Sequence, residues 1–208
     1  FFTAEGKKRA WDTLQKFGID GVIVLGGNGS FSALHEFTKE YPIPCIGIPA
    51  SIDNDINGID LTIGLDTAVN TALTAIDNIR DTASSMERIF VVEVMGRSSG
   101  FIAMEVALAG GCEEALVPEC SFDLQKICHD IVDGNLVGKI SWIIVVAEGA
   151  GKAEDIARTI HEMTGLETRD VVLGHIQRGG RPTAYSRSLA AMLGYAAVEH
   201  LVAGQTGK

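Results

Sequence analysis

Along this chain, short apolar runs of strand length keep ending in glycines or acids, and a helical pattern usually follows. Gly21-Val22-Ile23-Val24-Leu25 enters Gly26-Gly27-Asn28-Gly29-Ser30, with a helical pattern at 31–40. Cys45-Ile46-Gly47-Ile48 enters Pro49-Ala50-Ser51-Ile52-Asp53-Asn54-Asp55. A long amphipathic pattern at 64–85 comes next, its stripe being Leu65, Val69, Leu73, Ile76 and Ile79. A strand at 88–95 leads into Gly96-Arg97-Ser98-Ser99-Gly100 and a helix at 101–109. Strands at 115–117 and 140–147 alternate with helices at 122–131 and 153–164, and the second strand ends at Glu148-Gly149. The run 170–173 leads into Gly174-His175-Ile176-Gln177-Arg178-Gly179-Gly180, and Pro182 opens a last helix reaching about residue 202. A first helix is expected at 3–17, burying Ala4, Ala10, Leu14 and Phe17. Such alternation builds an α/β protein: mainly parallel sheets with helices on both faces. Ligands of such sheets bind in the loops that leave the carboxyl ends of strands.

Composition narrows the class. Hydrophobic residues make up 46% of the 208, enough for a full core, and no apolar run approaches the about 20 residues of a membrane span. Cys45, Cys112, Cys120 and Cys128 lack zinc-type spacing, which reads as reduced thiols in a cytoplasmic protein. A net charge of −10 argues against a nucleic-acid surface, so an anionic ligand would depend on a few focused arginines. The chain opens on Phe1-Phe2-Thr3 without Met and is read as an internal piece of a longer protein.

The chemistry is concentrated in the turns. If the backbone stays extended past Pro49, Ser51, Asp53 and Asp55 project to one side, because strand side chains alternate. Asp-Asn-Asp is equally how a solvated acidic turn reads. The turn at 26–30 joins a strand to a helix and can aim backbone N–H groups at a phosphate, yet it matches neither the P-loop nor the dinucleotide fingerprint. Taken together, the turns offer Ser51, Asp53, Asp55, Glu148, His175, Arg97 and Arg178. Carboxylates, arginines and phosphate-cradling glycines describe phosphoryl transfer to a hydroxyl. A purely structural set of turns, or a binding site without chemistry, is the competing interpretation.

The ordered motifs Gly26–Ser30, Ser51–Asp55, Met95-Gly96-Arg97 and Gly174–Gly180 resemble the bacterial ATP-dependent 6-phosphofructokinase family, and the similarity runs through the whole chain. The resemblance implies a partial phosphofructokinase fold of two Rossmann-like lobes. Residues 1–63 plus 177–208 would belong to the larger, ATP-binding lobe and 64–176 to the smaller, sugar-phosphate lobe, with the active cleft between them. It implies transfer of the γ-phosphoryl of MgATP to the 1-hydroxyl of fructose 6-phosphate in glycolysis. Asp53 would take the hydroxyl proton, and Asp55, with Asn28, would position Mg²⁺. Ser51 and Arg97 would meet the transferring group. Gly26, Gly27, Asn28, Gly29 and Ser30 would hold ATP. Met95, Gly96, Glu148, His175 and Arg178 would line the sugar-phosphate site, and Arg88 and Arg169 would reach the substrate of a neighbouring subunit in a homotetramer. Arg80, Glu113 and Lys139 fall where the family holds part of an ADP or phosphoenolpyruvate effector site. No nucleic-acid or membrane partner is implied.

Two departures stand out. Asn28 occupies a position where the family carries Asp, removing a negative charge from the metal site; weaker Mg²⁺ dependence or lower activity than Asn28→Asp is expected. The chain also lacks the family's opening ATP loop and its end, so by itself it is expected to be impaired. Gly29 and Ala50 are small where the pyrophosphate-using branch has bulkier charged residues, which favours ATP. The alternatives are a catalytically weakened regulatory subunit of this fold, a pyrophosphate-dependent phosphofructokinase, and a nucleotide-binding module or NAD-kinase-like enzyme sharing only the glycine turn.

Overall fold

The structure is a computed structural model that describes residues 3–207, and the chain divides into two compact units. The first comprises Phe1–Ser51, Asp55–Ile63 and Ala184–Lys208; the second comprises Ile52–Asn54 and Gly64–Thr183.

The first unit begins with α1 (Ala4–Lys16), whose N-cap Thr3 accepts from Gly6 N–H through its hydroxyl. Ala10 and Leu14 are half-buried, but Ala4 and Phe17, expected on the inner face, are exposed. Trp11, also on this helix, stacks on Tyr41 with ring centroids 5.2 Å apart. Then come β1 (Val22–Gly26), α2 (Asn28–Thr38) and β2 (Cys45–Pro49). β1 and β2 pair in parallel, Val22 against Cys45 through Gly26 against Pro49. Gly47 faces Phe31 so closely that an added Cβ would sit 2.9 Å from the ring; glycine is what lets α2 lie on the sheet.

The second unit runs through α3 (Leu65–Met86), β3 (Ile89–Val94), α4 (Phe101–Gly110), β4 (Glu114–Leu116), α5 (Leu124–Leu136), β5 (Trp142–Ala147), α6 (Ala153–Thr164) and β6 (Thr168–Val172). Its four strands lie in the order β4-β5-β3-β6, and every pairing is parallel. The central strands β3 and β5 are buried on both faces and read as Val/Ile-rich runs for that reason, with Glu93 the one charged residue in β3. One face packs Val91, Ile144 and Val146 against Ile127 and Ile131 of α5 and Ile156 and Ile160 of α6. α3 also contacts β3 and β5, α4 contacts β5, and Ala68 and Ala72, both fully buried, add small side chains to the α3 stripe read from sequence. A short 3₁₀ turn at Gly174–Arg178 follows β6. The last helix, α7 (Ala184–Val202), rejoins the first unit, where Ala197, Leu193 and Leu201 cover Ile46 and Ile48.

Candidate active site

In the first unit the glycine turn follows β1, and the Pro49–Ser51 segment follows β2. Because these strands are parallel, both segments leave the same edge of the sheet. α2 begins at Asn28, earlier than the expected residue 31, so Asn28, Gly29 and Ser30 form its first turn, with Gly27 as N-cap. The reason is local: Ser30 and Phe31 N–H both donate to the Gly27 carbonyl (3.0 and 3.1 Å), closing helical bonds as soon as the glycine pair ends. An added Cβ on Gly26 would fall 2.3 Å from Ser30 Oγ, so the tight entry needs glycine there. Gly27 lies against Ser51, a Cβ on the glycine meeting Ser51 Oγ at 3.3 Å. Asn28 Nδ2 donates to the Asp55 carbonyl at 2.9 Å, tying the glycine turn to the acidic loop.

The acidic loop does not continue the strand. Asn54 takes a left-handed φ of +50°, which breaks the alternation expected to align Ser51, Asp53 and Asp55 on one side. Asp53 accordingly groups with the second unit, and Ser51 and Asp55 with the first.

In the second unit the ends of β3, β5 and β6 lie along the carboxyl edge of one parallel sheet. Asp53 is 5% exposed. Its Oδ2 lies 3.3 Å from Arg97 Nε and its Oδ1 lies 3.8 Å from Arg178 Nη2. Two guanidiniums therefore compensate the burial of one carboxylate. The Arg97 side chain is 71% exposed, so its guanidinium has room to move. Arg97 itself sits at φ +55°, an uncommon conformation for a residue with a Cβ, directly after Gly96 at φ +142°. Glu148 Oε1 accepts from both Gly96 N–H (3.1 Å) and Arg97 N–H (2.7 Å). Met95 is buried at the end of β3, while His175 is exposed on the 3₁₀ turn with Arg178.

The remaining expected residues lie elsewhere. Arg88 precedes β3 and Arg169 is the second residue of β6, so both stand at the amino end of the sheet, opposite Arg97 and Glu148. Glu167 gathers them: Arg88 Nε lies 3.0 Å from its carboxylate and Arg169 Nη2 2.5 Å. Arg88 Nε is buried and makes no well-aimed hydrogen bond of its own. The pair of guanidiniums, Arg88 foremost, holds the Glu167 carboxyl below its ordinary pKa. Arg80 donates to the Gly110 and Gly111 carbonyls. Lys139 pairs with Glu113 at 2.9 Å and lies 4.1 Å over the Trp142 ring, and the other Glu113 oxygen accepts from Ile143 N–H.

Sequence reading passed over two buried polar residues of the second unit. Gln177 is 1% exposed, and its Oε1 accepts from Met95 N–H at 2.9 Å while its Nε2 is left without a hydrogen-bond partner. It lay inside the Gly174–Gly180 motif, but nothing in a sequence says which polar member of a motif points inward. Glu93, 6% exposed in β3, accepts from Ala153 N–H at 2.9 Å and receives Lys152 Nζ at 3.4 Å. An acid at the centre of an apolar strand was the available signal.

Parallel sheets with functional side chains massed at strand ends define an α/β protein whose sites are built on loops. The phosphofructokinase family model matches residues 1–201, and the chain belongs to that family. It is 54% identical over 202 residues to the ATP-dependent 6-phosphofructokinase of Clostridium tetani, a match spanning 97% of this chain and 63% of that protein. With the ATP-dependent 6-phosphofructokinase of Bacillus subtilis it shares 50% identity over 208 residues, 100% of this chain and 65% of that one. The chain thus spans somewhat under two thirds of the length of these relatives. Among solved structures, phosphofructokinase from Saccharomyces cerevisiae matches with a TM-score of 0.91 at 33% identity, covering 96% of this chain and 31% of that chain. The pyrophosphate-dependent phosphofructokinase from Marinobacter aquaeolei matches with a TM-score of 0.81 at 28% identity, covering 96% and 56% respectively.

Proposed function

We propose that the protein containing this chain transfers the γ-phosphoryl of MgATP to the 1-hydroxyl of fructose 6-phosphate, yielding fructose 1,6-bisphosphate and ADP. The observation that carries this reading is the buried Asp53 carboxylate held between Arg97 and Arg178. Such a carboxylate is a proton acceptor, and the guanidiniums beside it are the charge stabilisers that phosphoryl transfer needs. Asp53 takes the proton of the attacking hydroxyl. The exposed Arg97 guanidinium leaves Asp53 for the transferring phosphoryl group, whose charge it neutralises. Arg178, with His175, meets the sugar phosphate, and Met95, Gly96 and the second oxygen of Glu148 line the sugar. Ser51 donates to the γ-phosphoryl.

Gly26, Gly27, Asn28, Gly29 and Ser30 hold the nucleotide phosphates at the amino end of α2. Asp55 and the Asn28 side-chain oxygen are the ligands this chain would give to Mg²⁺. Among the described residues no group of three or more His, Cys, Asp or Glu could hold a metal, which suits an ion carried mainly by nucleotide phosphates. The ion, when bound, neutralises charge on the phosphates. ATP is favoured over pyrophosphate as donor by Gly29 and Ala50, whose small side chains leave room for a nucleoside. Arg88 and Arg169, at the opposite end of their sheet from Arg97, serve a substrate bound by a neighbouring copy in a homotetramer. Arg80, Glu113 and Lys139 contribute to an ADP or phosphoenolpyruvate site. The setting is cytoplasmic.

The test is turnover by the complete protein with fructose 6-phosphate and either MgATP or pyrophosphate, scored as fructose 1,6-bisphosphate formed. Asp53→Asn is expected to lower kcat by at least about a hundredfold, the usual weight of a general base. Turnover with pyrophosphate alone would overturn the donor assignment, and an unchanged kcat in Asp53→Asn would overturn the role of Asp53. A complete protein that binds effector but does not turn over would be the regulatory subunit.

A further inference from the structure

We propose that Glu148 and Gln177 are positioning residues: they clamp the backbone after β3 and so set where the Arg97 side chain starts. Three consecutive N–H groups are involved. Met95 N–H donates to Gln177 Oε1 at 2.9 Å, and Gly96 and Arg97 N–H both donate to Glu148 Oε1 at 3.1 and 2.7 Å. The need for side-chain acceptors follows from the sheet. β3 is flanked by β5 and β6, but the β6 ladder stops after Glu93 pairs with Val172, with one further bond from Leu173 N–H to Glu93 O. On the other side Glu148 N–H makes the last bond, to Val94 O, before the chain turns at Gly149. From Met95 onward neither neighbouring backbone supplies an acceptor, and two side chains take over.

Adjacent N–H groups converging on one oxygen form a small concavity that favours an anion. Here the anion is internal, a carboxylate, and it holds the two residues whose φ angles are +142° and +55°. The packing leaves little alternative: an added Cβ on Gly149 would fall 2.1 Å from the Arg97 carbonyl oxygen, and one on Gly96 2.4 Å from the Ser99 carbonyl oxygen. Farther along the same turn Gly100 N–H donates to Glu119 Oε1 at 2.7 Å, so a second carboxylate closes the segment. Arg97 therefore projects from a fixed backbone although its side chain is exposed. Pre-organisation of this kind is what makes a charge stabiliser effective.

The inference rests on the phosphoryl-transfer role of Arg97 only for its catalytic consequence; the clamp itself is read without substrate. Amide hydrogen exchange of the 208-residue chain, followed by NMR, is the first measurement. In Glu148→Ala the Gly96 and Arg97 amides are expected to exchange at least about tenfold faster. In Glu148→Gln, whose side-chain oxygen still accepts, the rise stays under about threefold. Protection of Val91 and Val145 stays as in the parent in both variants. Unchanged exchange at Gly96 and Arg97 in Glu148→Ala would overturn the clamp. So would a rise spread through β3 and β5, because that is a core effect and not a local one.

The second measurement is kcat and KM for fructose 6-phosphate in the complete protein. Because the second Glu148 oxygen also lines the sugar, Glu148→Gln is expected to raise KM, and a kcat that falls further in Glu148→Ala than in Glu148→Gln follows the clamp. An equal loss in both variants, with amide protection intact in Glu148→Gln, would assign the carboxylate to substrate contact alone and overturn the positioning role. If the unaltered complete protein does not phosphorylate fructose 6-phosphate, the proposed function fails while the amide result still stands by itself.

Discussion

At Asn28, read from the sequence as a metal-site position, the structure adds a constraint. Its amide N–H₂ donates to the Asp55 carbonyl, a link that needs no cation. Asn28→Asp would set a carboxylate oxygen against that carbonyl, and two acceptors facing each other repel unless a cation lies between them. The expected outcome is a loss of about 1 kcal/mol in Mg²⁺-free buffer, the usual weight of one hydrogen bond, recovered as Mg²⁺ is added. Thermal unfolding across a Mg²⁺ titration reads this directly; identical titration curves for the two proteins would dismiss it. Cys112 carries a second residue-scale prediction. Burial pushes its thiol pKa up to about 11, against the opposing pull of Arg80. The folded state then keeps the proton that the unfolded chain gives up at lower pH, so the thiol's contribution to stability is whole below the unfolded-state pKa and is lost as pH rises toward 11. Denaturation midpoints measured from pH 8 upward should fall more steeply for this chain than for Cys112→Ser.

At the scale of elements, α6 shows how a helix can be held from outside its own sequence. Its N-cap, Lys152, makes no side-chain cap, and the first turn is satisfied by the buried Glu93 of β3, which accepts from Ala153 N–H. Glu93→Leu removes that acceptor and leaves a buried donor orphaned, which is expected to cost about 1–3 kcal/mol. Hydrogen exchange should report it as lost protection at the start of α6 with α5 unaffected. The turn between β5 and α6 supplies a complementary prediction. In Gly149→Ala the new methyl would collide with the Arg97 carbonyl, a backbone atom unable to swing away as a side chain would. A destabilisation of about 1–3 kcal/mol, typical of overpacking, is expected in urea unfolding of the second unit. A midpoint equal to that of the parent would show that the turn relaxes freely.

Across the whole molecule the two units are unequally built. The second has a four-stranded parallel sheet and a continuous core from β3 and β5 to α5 and α6. Among the described residues the first has a two-stranded sheet, and a core cluster there joins Ile46, Ile48 and Ala197. Two strands alone are marginal in water, so the first unit should open at lower free energy. Native-state hydrogen exchange is expected to release β1 and β2 amides well before those of β3 and β5, whereas simultaneous release would show one cooperative unit.

Element types were legible from end to end because apolar runs of strand length and helical periodicity are local signals. The ordered motifs were equally legible, since family membership depends on residue identity and spacing. The roles of Glu93, Gln177 and the Glu148 oxygen were not, because each is a long-range acceptor for an N–H group that its own segment cannot satisfy. The early start of α2 and the break at Asn54 were missed for a different reason: both turn on a single backbone dihedral or bond that composition does not specify. By itself the sequence determined the alternation of strands and helices, the parallel sheets and the membership in the phosphofructokinase family. Only the tertiary structure decided that Asp53 faces Arg97 and Arg178 while Arg88 and Arg169 gather on Glu167, because side chains far apart in the chain meet only once the sheet order and the ends of its strands are fixed.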